Sequence, residues 1–235
     1  MKYQYLFIDN DDTLMDFLAS EYECIGKTLR QYGLDDSDST RKTYSAINKD
    51  CWEAFDRGEL PRNKIKSTRF TRLLEHLGKE PQADFISRFG AFYENALGGS
   101  AIWVEGAKEF LENAKNRIKI YVVTNGNEEV QKNRFKKVGM DKLVDGIVIS
   151  ESIGAKKPEK EFFDYALKKA GCTDKSKAII VGDSATSDIA GGKNCGIDTC
   201  LFDFRRKYNN IDLGADYTVH NFNELNNLLF DCCFT

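Results

Sequence analysis

The sequence predicts an α/β fold in which a Rossmann-like, doubly wound parallel sheet carries an inserted α-helical domain. Short apolar runs alternate with stretches of helical periodicity, which is typical of a parallel sheet with helices on both faces. One long segment, residues 17–97, breaks this alternation and contains only helix-like periodicity. Polar and charged residues follow several of the apolar runs, at the positions where strands of such a sheet would end.

Each apolar run is bounded by turn residues or charges, as strands are. The predicted strands are residues 3–8, 118–123, 146–149, 178–181, 199–202 and 217–219. The predicted helices between and after them are residues 106–116, 127–138, 159–170, 187–195 and 223–230.

The segment after the first strand is too long to be a loop. Its apolar residues recur at helical spacing, as in Phe70, Leu73, Leu74 and Leu77. The predicted helices are residues 17–32, 39–56, 62–77 and 81–96. We therefore predict two domains, a core of residues 1–16 with 98–235 and a helical domain of residues 17–97.

Composition excludes several classes of function. The 235 residues include 34 Lys and Arg against 37 Asp and Glu, so there is no basic excess to bind a nucleic-acid polymer. The first apolar run is too short for a membrane helix and meets Asp9, which leaves the cytoplasm as the expected compartment and no membrane as a partner. Seven cysteines without a CxxC pair, and two histidines, disfavour disulfides, zinc and Ser-His chemistry. Carboxylates, Lys and a hard metal ion therefore remain as the groups that could carry out catalysis.

Ligands of an open parallel sheet bind outside the carboxyl ends of its strands. Four predicted strands are followed there by carboxylate, hydroxyl or amine groups, or by a turn that exposes main-chain N–H groups. These residues are Asp9 and Asp11; Thr124, Asn125 and Gly126; Lys157; and Asp183 and Asp188. Their convergence on one edge of the sheet predicts a site.

Asp9 and Asp11 are two residues apart at a strand end, so both carboxylates can point the same way. Two close carboxylates repel, so a cation should accompany them or one pKa should rise. One aspartate can then attack phosphorus as a nucleophile while the other carries a proton. The alternative is a simple turn, because Asp and Asn are common turn formers.

Asp183 and Asp188 suit Mg²⁺, which takes one or two carboxylates and completes its shell with water and phosphate oxygens. Asp188 alone has an alternative role as a charge in the first turn of a helix.

Thr124 and the backbone N–H groups of Asn125 and Gly126 could hold phosphoryl oxygens at a helix start. The alternative is an N-cap without a ligand. Lys157 could offset charge on a transferring phosphoryl group, or it could be a solvated surface charge.

Taken together, Asp9-x-Asp11-x-Thr13, Thr124, Lys157-Pro158 and Gly182-Asp183-x-x-x-x-Asp188 resemble the four motifs of the haloacid dehalogenase superfamily, in the family order. The resemblance implies a Rossmann-like catalytic core, with the helical domain as a C1-type cap. It also implies that the protein is an enzyme acting on a small phosphomonoester.

The resemblance further assigns roles to the strand-end residues. It implies that Asp9 is the nucleophile, and that Asp11 protonates the leaving oxygen and then activates water. Mg²⁺ would be held by Asp9, the main-chain carbonyl of Asp11 and Asp183, with Asp188 in support. Thr124 and Lys157 would hold the phosphoryl group.

A narrower resemblance is to the bacterial YjjG-type pyrimidine 5′-nucleotidases. It is carried by residues 7–14, 46–52, 148–151 and 181–189. It implies hydrolysis of nucleoside 5′-monophosphates, with pyrimidines preferred. Asp12 stands where Gly is commonest in the wider superfamily, and the nucleotidase group tolerates Asp there.

Substrate choice is expected to come from the helical domain. The candidate contacts are Phe17, Asn48, Lys49, Trp52 and Arg69. Trp52 could stack on a base. The alternative roles are packing inside the domain for Trp52 and solvated helix charges for Lys49 and Arg69.

Other functions stay open at this stage. The core motifs do not separate a nucleotidase from a phosphatase or mutase acting on a sugar phosphate or phosphoglycolate. A non-catalytic phosphate-binding module, such as a receiver domain, ranks lower, because a receiver domain is about half this length and has no helical insertion. The basic run Arg205-Arg206-Lys207 is interpreted as a solvated loop.

Overall fold

The structure, a computed structural model, describes residues 2–208 and 211–230. The chain divides into two compact units, Met1–Asp16 with Ile102–Thr235 and Phe17–Ala101. We call them the core unit and the helical unit. The roles of catalytic core and cap, which the sequence predicts for these regions, stay predictions.

Within the described residues, the core unit contains one six-stranded parallel sheet with strand order β3-β2-β1-β4-β5-β6. The strands are β1 Tyr5–Ile8, β2 Lys119–Thr124, β3 Gly146–Ile149, β4 Ala178–Gly182, β5 Asp198–Phe202 and β6 Tyr217–Val219. This sheet confirms the predicted α/β class, and each strand overlaps a predicted apolar run.

The central strand β1 aligns the ends of its two neighbours. Ile8 pairs with Val122 of β2 and with Val181 of β4. The next residue continues the pairing, because the N–H of Asp9 donates to the carbonyl of Val181 at 2.9 Å. The loops that follow β1, β2 and β4 therefore leave the sheet at the same edge.

The helical unit consists of α1 Phe17–Gln31, α2 Asp38–Asp56, α3 Arg62–His76 and α4 Ala83–Gly98. Aromatic rings fill its interior. Phe70 lies edge-on to Phe89, with ring centroids 5.2 Å apart, and its ring stacks against Tyr44 at 5.8 Å. Aromatic pairs of this geometry stabilise a core beyond the area that they bury.

A network of buried polar side chains also lies inside the helical unit. Glu21 accepts hydrogen bonds from Asn48 at 2.6 Å and from the hydroxyl of Ser45. Asn48 in turn accepts one from the guanidinium of Arg69 at 3.0 Å. Arg69 lies 3.5 Å from the carboxylate of Glu94. We call these five residues the helical-unit network.

The remaining helices belong to the core unit. They are α5 Ala107–Ala114, α6 Glu128–Val138, α7 Ser150–Ile153, α8 Lys160–Ala170, α9 Ala190–Cys195 and α10 Phe222–Phe230. Helix α8 buries Phe162 and Phe163 in a cluster with Phe7 of β1 and Ile180 of β4. This cluster packs against β1 and β4. The carboxyl ends of these strands lie at the edge of the sheet where the predicted site residues follow, which we call the polar edge of the core unit.

The predicted helix 187–195 begins differently from our expectation. A wide π-helical turn, Ala185–Ile189, precedes α9. The N–H groups of Asp188 and Ile189 both donate to the carbonyl of Ser184, at 3.0 and 3.1 Å. Such turns often re-aim a functional side chain, and here the turn carries Asp188.

Among the residues that the structure describes, no helix has both the length and the hydrophobicity needed to cross a bilayer.

Candidate active site

The loop after β1 folds back tightly on itself. The N–H groups of Leu14 and Met15 donate to the carbonyl of Asn10 at 3.0 and 2.8 Å, and the N–H of Asp12 donates to Met15 at 2.7 Å. Asp12 has a φ of +55°. Gly adopts this left-handed backbone readily and Asp tolerates it, which explains physically why either residue can stand there.

Lys157 lies at the centre of the polar edge. Its Nζ donates to the carboxylate of Asp9, to Oδ1 of Asp188 at 2.7 Å and to the carbonyl of Val123 at 3.1 Å. The side chain is only 2% exposed. The Asn125 amide holds the main chain beside it, bonding both the N–H and the carbonyl of Lys157 at 2.9 Å. Lys157 is therefore a fixed internal cation rather than a solvated surface charge.

Burial and charge oppose each other at this site. Burial alone would lower the pKa of Lys157, but the carboxylates of Asp188 and Asp9 outweigh it and the pKa is raised. Lys157 therefore stays protonated. Burial also raises the pKa of Asp9 well above its ordinary value, although the ammonium of Lys157 opposes this shift. The carboxylates of Asp188 and Asp183 add to the rise.

Three of the predicted residues form an acidic triad. Asp9, Asp183 and Asp188 each offer a carboxylate oxygen, and these oxygens lie within 4.8 Å of one another. Burial raises the pKa of Asp183, and the ammonium of Lys207 opposes that rise. Clustered carboxylate oxygens with this surplus of negative charge are the ligands that a hard divalent cation prefers. The triad therefore fits Mg²⁺.

Gly182 permits the close packing of this triad. A Cβ atom built on Gly182 would lie 2.2 Å from the carboxylate of Asp188. Any side chain at position 182 would therefore displace Asp188 from Lys157.

The turn after β2 is organised by its own hydrogen bonds. The hydroxyl oxygen of Thr124 accepts from the N–H of Gly126 and from the amide of Gln131, both at 3.0 Å. We expected the N–H of Gly126 to face a phosphoryl oxygen, but it donates to Thr124 instead. The side-chain amide of Asn125 holds Lys157, and contact of the Asn125 backbone N–H with a phosphoryl oxygen stays a prediction. These side-chain contacts make the turn a support for Thr124 and Lys157.

The structure surrounds Asp11 with partners that we did not predict. The guanidinium of Arg134 bonds its Oδ1, and the amide of Gln131 donates to its Oδ2 at 2.6 Å. Asn10 donates to Asp11 Oδ1 at 3.1 Å and to Gln131 at 3.0 Å. The only pattern that could have indicated this was the three-residue spacing of Gln131 and Arg134 on one helix face.

The loop after β5 brings two basic side chains to carboxylates near the acidic triad. Because β5 lies beside β4, this loop emerges next to Asp183. The ammonium of Lys207 bonds Asp183 Oδ2 at 2.6 Å, and the Tyr208 hydroxyl donates to the Asp183 carbonyl at 3.1 Å. Arg205 pairs with Asp16. Arg205 and Lys207 are exposed, as the interpretation of a solvated loop expects, and strand order also brings both to carboxylates.

The candidates in the helical unit have different surroundings. Asn48 and Arg69 are buried, and the contacts that hold them are those of the helical-unit network. The structure therefore gives no support to substrate contact by these two residues, and Arg69 is not a solvated charge. Lys49 is exposed, with its ammonium 3.7 Å from Glu53 one helical turn away.

Trp52 and Phe17 are both partly buried. The indole ring of Trp52 lies edge-on to Phe55 with centroids 5.7 Å apart, and the guanidinium of Arg62 lies 5.8 Å from the indole. The part of each ring that remains exposed leaves these two residues as candidates for contact with a ligand.

Several known proteins are similar to this chain over nearly its whole length. A family model of haloacid dehalogenase-like hydrolases matches residues 6–202. The chain is 31% identical over 229 residues to the pyrimidine 5′-nucleotidase YjjG of Escherichia coli, covering 97% of this chain and 99% of that protein. It is 29% identical over 226 residues to the pyrimidine 5′-nucleotidase PynA of Streptococcus pneumoniae, covering 96% and 94%.

Solved structures agree with these relatives. The crystal structure of the HAD-hydrolase YfnB from Bacillus subtilis bound to magnesium is 29% identical and covers 97% of this chain and 99% of that one, with a TM-score of 0.88. A dehalogenase with an intermediate complex is 17% identical at a TM-score of 0.73, covering 97% of each chain, which shows the fold alone. The four motifs predicted this result: the chain belongs to the haloacid dehalogenase-like hydrolases.

Proposed function

We propose that this enzyme is a Mg²⁺-dependent phosphatase that hydrolyses nucleoside 5′-monophosphates, pyrimidine nucleotides first, through an aspartyl phosphate at Asp9. The observation that carries the proposal is the buried Asp9 carboxylate, bonded by the fixed cation Lys157 at the edge of the sheet. Two relatives named as pyrimidine 5′-nucleotidases support the substrate class. They are 31% and 29% identical to this chain over 97% and 96% of its length.

The first half-reaction would transfer the phosphoryl group to Asp9. Its carboxylate attacks phosphorus in line as the bond from phosphorus to the nucleoside oxygen breaks. Positioning and charge stabilisation do most of the work in such transfers. Lys157 offsets the negative charge that Asp9 and the phosphoryl group bring together. The Thr124 oxygen already accepts two hydrogen bonds, so its hydroxyl proton is available for a phosphoryl oxygen.

Asp9, the main-chain carbonyl of Asp11 and Asp183 would hold Mg²⁺, with Asp188 in support. When bound, Mg²⁺ supplies positive charge at the phosphoryl oxygens. Asp188 also holds Lys157 in place through its Oδ1.

Asp11 would move the protons. In the first half-reaction it gives a proton to the departing nucleoside oxygen. In the second it takes a proton from the water that attacks phosphorus, and the electron pair of the cleaved bond returns to Asp9. The helical unit would act as a cap that selects the nucleoside, with Trp52 and Phe17 as its candidate contacts. We expect the reaction to take place in the cytoplasm.

Phosphate release from a substrate panel tests the proposal. The panel contains pyrimidine and purine 5′-monophosphates, sugar phosphates and phosphoglycolate, each with Mg²⁺. Asp9→Asn should abolish release while thermal unfolding still shows a folded protein. Asp84→Asn is the matched control, because the Asp84 side chain is 82% exposed on the helical unit.

Each result of the panel has a defined meaning. Fastest release from pyrimidine nucleotides would support the full proposal. Fastest release from a sugar phosphate or phosphoglycolate would support the phosphatase mechanism and refute the proposed nucleotide substrate. Normal turnover by Asp9→Asn would overturn the mechanism. Phosphate binding without release from any compound would favour a non-catalytic phosphate-binding module.

A further inference from the structure

We infer that Gln131 and Arg134 are positioning residues for Asp11, and that together they reserve its Oδ2 atom for the proton that the reaction moves. The inference deepens the proposed function and rests on it, because it concerns how the proposed acid and base is held.

Both residues project from one face of α6 toward the loop after β1. Their three-residue spacing places them one above the other on the helix. Arg134 is completely buried, and its guanidinium bonds Asp11 Oδ1. Gln131 is 1% exposed, and its amide donates to Asp11 Oδ2 at 2.6 Å. A buried guanidinium is costly unless a carboxylate pairs with it, so this arrangement needs more than apolar packing to explain it.

The two oxygens of Asp11 are used unequally. A carboxylate oxygen has two lone-pair directions. Oδ1 accepts from both Arg134 and Asn10, which fills its two directions. Oδ2 accepts from Gln131 at 2.6 Å, and within the described part of the chain no second donor to this atom is found. The Asp11 side chain is 27% exposed, so a reacting oxygen can reach the carboxylate, and we assign that contact to the remaining lone-pair direction of Oδ2.

The same amide connects Asp11 to the proposed phosphoryl-binding turn. Gln131 Nε2 also donates to the Thr124 hydroxyl at 3.0 Å, while its Oε1 accepts from Asn10 at 3.0 Å. The turn leaves room for this amide only because residue 126 is Gly. A Cβ atom there would lie 2.3 Å from Gln131 Nε2. Gln131 therefore lies between the proton-transfer group and the phosphoryl ligand, while the N–H of Gly126 holds Thr124 independently of Gln131.

The chemical consequence is restricted to steps that move a proton. A carboxylate held at one oxygen can turn about its Cβ–Cγ bond, whereas one held at both oxygens cannot. In the first step the proton leaves Asp11 Oδ2 for the bridging oxygen, which keeps the electron pair of its broken bond to phosphorus. In the second step a water proton returns to Oδ2. Loss of positioning should therefore lower the rate of reaction for a substrate whose leaving group needs a proton. It should leave the rate nearly unchanged for a substrate whose leaving group does not need one.

The rates of the first half-reaction for two substrates distinguish loss of Asp11 positioning from distortion of the whole site. Uridine release from uridine 5′-monophosphate is followed by rapid quench, or release from the fastest alkyl phosphate of the panel if that differs. Release of p-nitrophenolate from p-nitrophenyl phosphate is followed as a stopped-flow burst. The variants are Gln131→Met, which keeps length and adds no charge, and Arg134→Met. Lys132→Ala, on the same helix with a side chain 63% exposed, is the matched control.

Gln131→Met should slow alcohol release by about 10-fold to 100-fold, within the range of general acid catalysis, and p-nitrophenolate release by less than about 3-fold. Arg134→Met should do the same if it folds, and Lys132→Ala should change neither rate. Thermal unfolding of each variant checks the fold.

Equal slowing of both substrates by Gln131→Met would overturn the inference, because it would indicate distortion of the whole site. An unchanged rate of alcohol release would overturn it too. A wild-type protein that releases phosphate from no substrate would refute the proposed function, and the inference with it, so the two failures are distinguishable.

Discussion

The core unit and the helical unit each bury charged side chains, but they balance them differently. At the core edge the three carboxylates of Asp9, Asp183 and Asp188 face two ammonium groups, those of the buried Lys157 and of the partly exposed Lys207. In the helical-unit network the two carboxylates of Glu21 and Glu94 are balanced by the guanidinium of Arg69 and by the ammonium of Lys66, which bonds Glu94 at 2.7 Å. The first cluster has surplus negative charge at a strand edge, whereas the second is satisfied inside its own unit.

The difference teaches that burial of charge does not by itself mark a functional site. Buried ion pairs and networks are common structural devices, and their desolvation can cost more than their attraction returns. The surplus of carboxylates is what distinguishes the core edge, because a cation from solution can neutralise it. Removing one member should therefore affect stability in the helical unit and ligand binding in the core.

The largest expected effect on stability is that of Arg69→Met. It would leave Glu21 buried without its nearby cation and remove the guanidinium from the rings of Phe70 and Tyr93, at 4.9 and 5.1 Å. Breaking a buried charge pair in this way typically costs about 3 kcal/mol or more. Urea unfolding should show a clear loss of free energy. Asp9→Asn removes a surplus charge, so it should lower the free energy of unfolding much less. An equal loss of free energy in both variants would contradict the comparison of the two units.

Mg²⁺ should stabilise the protein through the core edge alone. Binding to the folded state adds about 2.7 kcal/mol when the free ion is 100-fold above its Kd. Differential scanning calorimetry with and without Mg²⁺ should show this as a rise in Tm. Asp183→Asn should abolish the rise, whereas Glu21→Gln, the matched change of a buried carboxylate in the helical unit, should retain it. A full Tm shift in Asp183→Asn would remove Asp183 from the proposed ligand set.

The smallest expected effect is a pH dependence that comes from Glu21. Burial raises its pKa, although hydrogen bonds from Ser45 and Asn48 oppose the rise. A carboxyl group with a raised pKa in the folded state contributes stability that is present below its unfolded pKa and lost as pH rises through the folded value. Glu21→Gln removes this dependence. Relative to wild type, the variant should gain unfolding free energy as pH rises above the ordinary Glu pKa of about 4. A difference that does not change with pH would refute the assignment.

Local patterns were sufficient to predict most of the fold. The strand Gly146–Ile149 is a short apolar run, and the helix that ends at Val138 is bounded by the N-cap Asn127 and by Gly139. Such features depend on neighbours in sequence. The π-helical turn before Ala190 was missed, because it depends on how Ser184 satisfies two N–H groups rather than on periodicity.

The candidate site was predictable where its residues directly follow strands. Asp9 and Asp183 were found because every strand of a parallel sheet presents its carboxyl end to the same edge. Lys207 and Arg134 were missed for a common reason. Each reaches the edge only because of spatial adjacency, with β5 placed beside β4 and one face of α6 turned toward the loop after β1. Neither of these spatial adjacencies can be read from a single sequence.

The chain leaves and re-enters the core unit through two segments that lie side by side. Asp16 donates its N–H to the carbonyl of Ile102 at 2.9 Å, and Met15 forms an antiparallel bridge with Trp103. Residues opposed in this way are about 5 Å apart, a gap that a turn of about two to four residues can close. The separation of the two segments is therefore short enough for a tight turn to join them directly, so an insert of any length can be accommodated here without stretching the sheet.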